Sequence, residues 1–108
     1  MKLFLISYDL KSPGRNYEGV YDVIKSALSW WHYLESTWII RTNRDLGYWQ
    51  KKICAAMDKN DSLLVIDVTN MVRDGWLPHK AWDWIRDQNA KINANNAQGA
   101  CMQNGEHT

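Results

Sequence analysis

Asp9 stands out among the residues that could carry chemistry because of its place in the sequence. The first ten residues, MKLFLISYDL, are an apolar, strand-favouring run that ends near this carboxylate, just before the turn sequence Ser12-Pro13-Gly14. Ligands of small α/β sheets bind just beyond the carboxyl ends of strands. Two copies of Asp9, brought together across a homodimer axis, can hold Mg²⁺ or Mn²⁺, which prefer oxygen ligands. The structural alternative is that Asp9 caps the following loop by accepting hydrogen bonds from backbone N–H groups.

A cluster of aromatic and basic residues is the second candidate site. Residues 30–42, WWHYLESTWIIRT, concentrate aromatic rings and include Arg41, while Lys11 and Arg15 lie in the loop after the first strand. Aromatic faces stack on nucleobases, and lysine and arginine bind phosphate, so this combination is typical of nucleotide or single-stranded nucleic-acid binding. The candidate ligand contacts are Ser7, Tyr8, Lys11, Arg15, Trp31, His32, Tyr33, Trp38 and Arg41.

Half of this aromatic cluster is nevertheless expected to lie in the core. Side chains alternate between the two faces of a strand. One face is then predicted to carry Trp31, Tyr33 and Glu35, and the other Trp30, His32 and Leu34. A purely structural role for the whole cluster is the alternative to ligand binding.

The composition excludes several classes of protein. The chain has 108 residues, which suits one domain with its own core, and its 13 basic and 12 acidic side chains give a net charge of +1. This balance excludes the broad basic field of a dedicated nucleic-acid binder, so any anion site must be a local patch. No stretch is long and apolar enough to span a membrane, and the N-terminus lacks the pattern of a signal peptide. Cys54 and Cys101 are expected to be free thiols in the cytoplasm, or in the host cytoplasm if the protein is phage-encoded.

Seven tryptophans beside a single phenylalanine are more than a core of this size uses. Some of these rings are therefore expected to line a groove or an interface. Trp76, Trp82 and Trp84 are interpreted as the hydrophobic anchor of a C-terminal helix, where a second copy of the chain can pack.

The periodicity of apolar residues predicts an α+β fold. Strands are expected at 2–8, 30–34, 37–42 and 62–68, and the last is interpreted, like the first, as fully buried. The alternative for residues 30–42 is a single bent strand with a bulge. Apolar stripes predict helices at 17–28 and 46–57, capped by Asn16 and by Thr42 or Asn43. Two helices on one face of a four-stranded antiparallel sheet make a ferredoxin-like split βαβ sandwich. An appended helix is expected from Pro78 to about Gln88, so residues 1–88 form the domain and residues 89–108 a polar, flexible tail.

Three segments resemble known families. The strand ending in Ser7-Tyr8-Asp9, with its following helix, is similar to the CRISPR-associated small endoribonuclease-like family and to VapD-type ribonucleases. The segments WWHYLESTWII and GWLPHKAWDWI more closely resemble small bacterial and phage proteins labelled SinR family. Over residues 1–88, the resemblance implies a ferredoxin-like homodimer in which Asp9 is the metal ligand at the dimer axis. The helix after Asp9 lacks the arginine-rich start of those relatives, which speaks against binding of duplex DNA.

Three functions follow from these observations. The first is a homodimeric protein that binds nucleotides or short nucleic acid and that, if phage-encoded, sequesters a host nucleotide immune signal. The second is a Mg²⁺-dependent endoribonuclease with Asp9 as the catalytic metal ligand, assisted by Ser7, Tyr8 or His32. The third is an interaction module that engages another protein through exposed tryptophans. The near-zero net charge favours the first function with a small ligand, because binding a long polyanion requires many neutralised phosphates.

Overall fold

The fold is that of a computed structural model, which describes residues 1–12, 14 and 16–107, with side chains as far as residue 95. Strands and helices follow one another in an α+β order. The described elements are β1 (Lys2–Asp9), α1 (Glu18–Lys25), β2 (Ser29–Leu34), β3 (Thr37–Thr42), α2 (Leu46–Ala55), β4 (Ser62–Asp67) and α3 (His79–His107). Arg15, one of the candidate ligand contacts, lies outside the described residues.

The four strands form one antiparallel sheet in the order β2-β3-β1-β4. β1 lies inside the sheet, between β3 and β4, and Leu5 is paired with Ile39 on one side and with Ile66 on the other. β1 is therefore an interior strand of the sheet. An interior strand forms backbone hydrogen bonds along both of its edges, here with β3 and with β4. Its largely apolar side chains can therefore pack against layers on both faces of the sheet.

One face of the sheet is covered by α1 and α2. The buried residues of this layer are Phe4, Ile6, Tyr8, Val20, Ile24, Trp38, Ile40, Trp49 and Ile53. They come from alternate positions of β1 and β3 and from the apolar stripes of the two helices, as the period of two in strands and about 3.6 in helices requires. The predicted stripes of both helices thus pack against the sheet, although Leu28 lies beyond the end of α1 and is exposed.

The opposite face is covered only in part. The first half of α3 packs on a second cluster of buried residues, which contains Leu3, Trp31, Ile39, Ala81, Ile85 and Ile92. On the same face, Leu64 and Ile66 of β4 remain 53% and 43% exposed. The expectation of a fully buried strand at 62–68 was therefore wrong. β4 is an edge strand, and α3 does not reach its outward-facing leucine and isoleucine.

The two helix starts differ from the predicted caps. The N-cap of α1 is Tyr17, which makes no side-chain cap hydrogen bond, and not Asn16. Asn16 lies one residue earlier, where its Oδ1 accepts from the backbone N–H of Glu18 at 2.9 Å. At α2 the cap is Asp45, whose Oδ1 accepts from the Tyr48 N–H at 2.8 Å, and not Thr42 or Asn43. Thr42 is instead buried in β3, where its hydroxyl accepts from Trp49 Nε1 at 2.9 Å.

The third helix is longer than expected. It begins at His79 and does not end near Gln88, because the chain offers no proline or glycine until Gly99 to stop it. Ile92 and Asn89 are buried, and Asn93 exchanges side-chain hydrogen bonds with Asn70. Residues 89–95 therefore belong to the folded domain and not to a flexible tail. The structure describes no side chains for residues 96–108, including Cys101, whereas Cys54 is an exposed free thiol.

A substitution at Ile92 tests this extension of the domain. Ile92→Ala removes a fully buried side chain from the contact between α3 and the sheet, and should lower the free energy of unfolding by about 2–5 kcal/mol. The measurement is urea unfolding followed by circular dichroism. Lys91→Ala, an exposed neighbour on the same helix, is the control and should change stability by less than about 0.5 kcal/mol. Equal stabilities of the two variants would contradict the packing of this turn on the domain.

Candidate functional site

A polar recess lies just beyond the carboxyl end of β1, and we call it the tyrosine pocket. Its volume is about 400 Å³. It is lined by Tyr8, Asp9, Leu10, Lys11, Ser12, Gly14, Tyr17, Tyr21, Glu35 and Ser36. This size is in the range of small-molecule sites, and the lining combines ring faces with a few polar groups, as such sites usually do.

The inner wall of the tyrosine pocket is built on Tyr8. Its hydroxyl accepts a hydrogen bond from Trp38 Nε1 at 2.9 Å. Tyr21 of α1 closes the same wall, with ring centroids 6.4 Å from Tyr8 and 6.3 Å from Trp38. Burial raises the pKa of Tyr8, and the hydrogen bond from Trp38 only partly opposes this effect. Tyr8 is therefore a neutral hydroxyl at physiological pH.

Two aspartates of the turn between α2 and β4 hold the loop that forms the outer wall. Asp61 Oδ1 accepts from the backbone N–H of Lys11 at 2.7 Å and from the Tyr17 hydroxyl at 3.0 Å. Asp58 Oδ2 accepts from the Ser12 hydroxyl at 2.7 Å. The sequence reasoning missed both residues and treated 58–61 as an ordinary polar turn. The only signal was the pair of aspartates in that turn, since side chains of this type often bind nearby backbone.

The charged groups at the rim of the pocket are Asp9, Lys11 and Glu35. The Asp9 carboxylate lies 3.6 Å from Lys11 Nζ, and both side chains are more than half exposed. Among the described residues, the Asp9 carboxylate forms an ion pair with this ammonium group. An exposed ion pair of this kind contributes little to stability. A ligand can therefore replace either Asp9 or Lys11 as the partner of the other.

The predicted stacking residues Trp31 and Trp38 are core residues. Trp31 is 2% exposed and donates from Nε1 to the carbonyl of Ala81 at 3.1 Å. Trp38 is 1% exposed, on the opposite face of the sheet. Neither ring can receive a nucleobase without a rearrangement of the core. Trp31 and Trp38 therefore have the structural role that was the alternative to ligand binding.

His32 and the neighbouring aromatic rings remain accessible. The imidazole of His32 stacks on Trp38 with ring centroids 3.6 Å apart, and its Nε2 lies 3.0 Å from the carbonyl oxygen of Glu35. Trp30 is partly exposed, with Lys25 Nζ 5.3 Å from its ring centroid, a cation–π distance. Tyr33 is also partly exposed and tilts against Trp31 on the other face.

An irregularity in β2 changes the expected alternation. Trp30 and His32 contact Trp38, and Trp31 and Tyr33 contact each other, as the alternation predicted. The register then shifts between Trp31 and Leu34. Leu34 consequently pairs with Thr37 and lines the same groove as Trp31, while Glu35 lines the tyrosine pocket. The predicted faces of Leu34 and Glu35 were therefore wrong, because a bulge adds a residue to one strand.

Two candidate residues lie away from the tyrosine pocket. Ser7 is on the partly covered face, where its hydroxyl is 3.3 Å from that of Thr37. Arg41 pairs with Leu3, six residues from Asp9 along β1, which corresponds to about 20 Å. Among the described residues, no acceptor is within hydrogen-bond distance of its buried Nε atom. Arg41 and Lys11 therefore do not contribute to one phosphate site within a single chain.

Within the described residues, no three side chains of His, Cys, Asp or Glu are close enough together to hold one metal ion. A metal bound to Asp9 would need its other ligands from water, from substrate or from a second copy. None of the described helices has the length and apolar character needed to cross a membrane.

Comparison of the chain with protein-family models, with curated proteins and with solved structures finds no match.

The hydrogen bond between Tyr8 and Trp38 generates a testable prediction. Tyr8→Phe leaves the buried Trp38 Nε1–H without an acceptor, and this should cost about 1–3 kcal/mol of unfolding free energy. Denaturant unfolding of the variant measures the loss. Tyr33→Phe removes the same atom from a partly exposed ring and serves as the matched control, with little expected change. If both variants lost the same amount, the hydrogen bond would not be the cause.

Proposed function

We propose that the chain is a ferredoxin-like, homodimeric protein that binds a nucleotide or a short stretch of nucleic acid in the tyrosine pocket. The observation that carries this proposal is the make-up of the pocket. Aromatic rings, hydroxyl groups and charged groups of both signs line one recess of about 400 Å³ beyond the carboxyl end of β1. A nucleotide combines a flat base, a hydroxylated sugar and an anion, and each part has a complementary group in this lining.

Support for the ferredoxin-like assignment comes from the connections between strands. Counted from the β4 edge, the strand order is β4-β1-β3-β2. The helix α1 joins β1 to β2 across β3, and α2 joins β3 to β4 across β1. Each pair of joined strands runs in the same direction with an antiparallel strand between them. Two such connections, with both helices on one face, support the proposed split βαβ arrangement.

The chemistry of the lining suggests a role for each group. The rings of Tyr17 and Tyr21 offer faces on which a base can stack. The ammonium group of Lys11 can leave Asp9 and bind a phosphate. The carboxylates of Asp9 and Glu35 can then accept hydrogen bonds from the amino or imino groups of the base. In this proposal tyrosines take the stacking role that the sequence assigned to Trp31 and Trp38.

The charge of the pocket favours a ligand with few phosphates. Lys11 is the cation among the described lining residues, and it faces the two carboxylates of Asp9 and Glu35. A long polyanion would require many more basic side chains, and the chain has a net charge of +1. The proposed ligand is therefore a mononucleotide or a short oligonucleotide, and not duplex DNA or a long RNA.

The first test is thermal melting and tryptophan fluorescence against a panel of nucleotides, cyclic oligonucleotides and short RNAs, with and without Mg²⁺. A ligand present at 100 times its Kd stabilises the folded state by about 2.7 kcal/mol, which corresponds to a rise in Tm of roughly 10 °C for a domain of this size. Lys11→Ala should weaken a bound mononucleotide about tenfold or more and leave its nucleoside unchanged. Lys59→Ala, an exposed lysine outside the pocket, is the control.

Two outcomes would replace this proposal. If RNA is cleaved only in the presence of Mg²⁺, and Asp9→Asn abolishes the cleavage, the endoribonuclease with Asp9 at the dimer axis is favoured. Absence of any shift across the panel would remove nucleotide binding altogether. A partner protein contacted through exposed tryptophans would then be the better hypothesis, because Trp76 is 99% exposed.

A further inference from the structure

The loop between β4 and α3 presents large apolar side chains to solvent. Trp76 is 99% exposed, Val72 is fully exposed and Met71 is more than half exposed. Single exposed apolar residues are common on protein surfaces, but a contiguous group of them marks an interaction site. An indole ring held in water contributes nothing to the packing of the isolated chain, so this group of residues is a candidate contact surface.

An apolar groove lies directly beside this loop. Its volume is about 280 Å³, and its lining includes Leu5, Leu34, Thr37, Met71, Val72 and Leu77. The groove lies between this face of the sheet and the start of α3, which contributes Trp82 and Ile85 to the lining. Ile66 pairs with Leu5 and Leu64 pairs with Ser7, so their exposed side chains extend the same face toward the edge of the sheet. We call the loop, the groove and this part of β4 the apolar surface.

We infer that the apolar surface binds the same surface of a second copy of this chain. A two-fold interface must be self-complementary, because each copy contributes the same patch. The apolar surface has both parts that such an interface needs. Trp76 projects into solvent, and the groove next to it is open and apolar. The indole of one copy can therefore fill the groove of the other, and the reverse contact follows by symmetry.

The area and the charge of the apolar surface fit this occupant. Its exposed residues Leu34, Leu64, Ile66, Met71, Val72 and Trp76 present roughly 700 Å² of surface, close to the ~800 Å² per partner of a standard stable interface. Arg73 and Asp74 lie side by side in the loop, so their charges cancel within one copy. In an isologous contact, Arg73 of one copy can face Asp74 of the other. A nucleic acid or an anionic membrane would require an excess of basic residues, which this surface lacks.

This inference rests on the homodimer of the proposed function and adds its interface, but it does not depend on ligand binding. The test is sedimentation of the full chain over a range of concentrations, with Trp76→Ser and Val72→Asp. Both positions are fully exposed, so the variants should keep the circular dichroism and the stability of the folded monomer. The Kd of the dimer should rise about 30-fold in each variant. Loss of a tryptophan from the centre of an interface, or burial of a charge there, weakens binding by about this much.

Leu28→Ser is the matched control, since Leu28 is an exposed leucine between α1 and β2, outside the apolar surface. Dissociation by the first two variants and not by the control supports the interface. A dimer that none of the three variants weakens, or that only Leu28→Ser weakens, overturns it while leaving the homodimer intact. A wild-type chain that stays monomeric at all concentrations overturns the interface and the homodimer together. Nucleotide binding is measured separately on the same samples, so its failure can be distinguished from both.

Discussion

The hydrogen bond from Trp38 to Tyr8 is the interaction on which much of the structure depends. It is buried, and it joins the two inner strands β1 and β3 where they meet α1. An indole N–H in this position must find an acceptor, because an unpaired buried donor lowers the free energy of unfolding by about as much as several favourable contacts raise it. Tyr8 can accept only if its ring reaches across to Trp38. The need of Trp38 for a hydrogen-bond acceptor therefore fixes the position of Tyr8 in the wall of the neighbouring pocket.

The stack of rings around Trp38 extends this constraint outward. Tyr21 packs on one side of the indole, and His32 stacks on it from the edge strand β2. Through its Nε2 atom, His32 also contacts the backbone at Glu35, one of the residues at the pocket rim. Glu35 at the pocket rim is thus linked through His32 to the buried Trp38. This explains why Trp38 is structural although the composition of its segment suggests binding.

Local patterns predicted the elements well, because α1, α2 and the four strands are each specified by residues close together in sequence. The expected strands at 30–34 and 37–42 agree with β2 and β3 to within one residue. The errors arose where distant parts of the chain decide the outcome. The exposure of Leu64 depends on how far α3 reaches across the sheet, and the burial of Ile92 depends on the same packing. Of the candidate ligand contacts, Tyr8 and Lys11 line the pocket, together with the candidate metal ligand Asp9. The roles of Asp58 and Asp61 appear only once the turn and the loop are neighbours.

The alternation of side chains along β1 separates the two surfaces. Tyr8 points into the layer of α1 and α2 and forms the pocket wall, whereas Leu5 points to the opposite face and lines the groove. Asp9 ends the strand at the rim, where the two faces meet. Because the sheet lies between them, a second copy on the apolar surface need not cover the tyrosine pocket. Association and ligand binding can therefore occur together, and a dimer of this kind would carry two pockets on its outer faces. β1 contributes residues to both surfaces, and so does the segment 34–37, which gives Leu34 and Thr37 to the groove and Glu35 and Ser36 to the pocket. Any coupling between the dimer interface and the pocket would therefore pass most directly through these two segments.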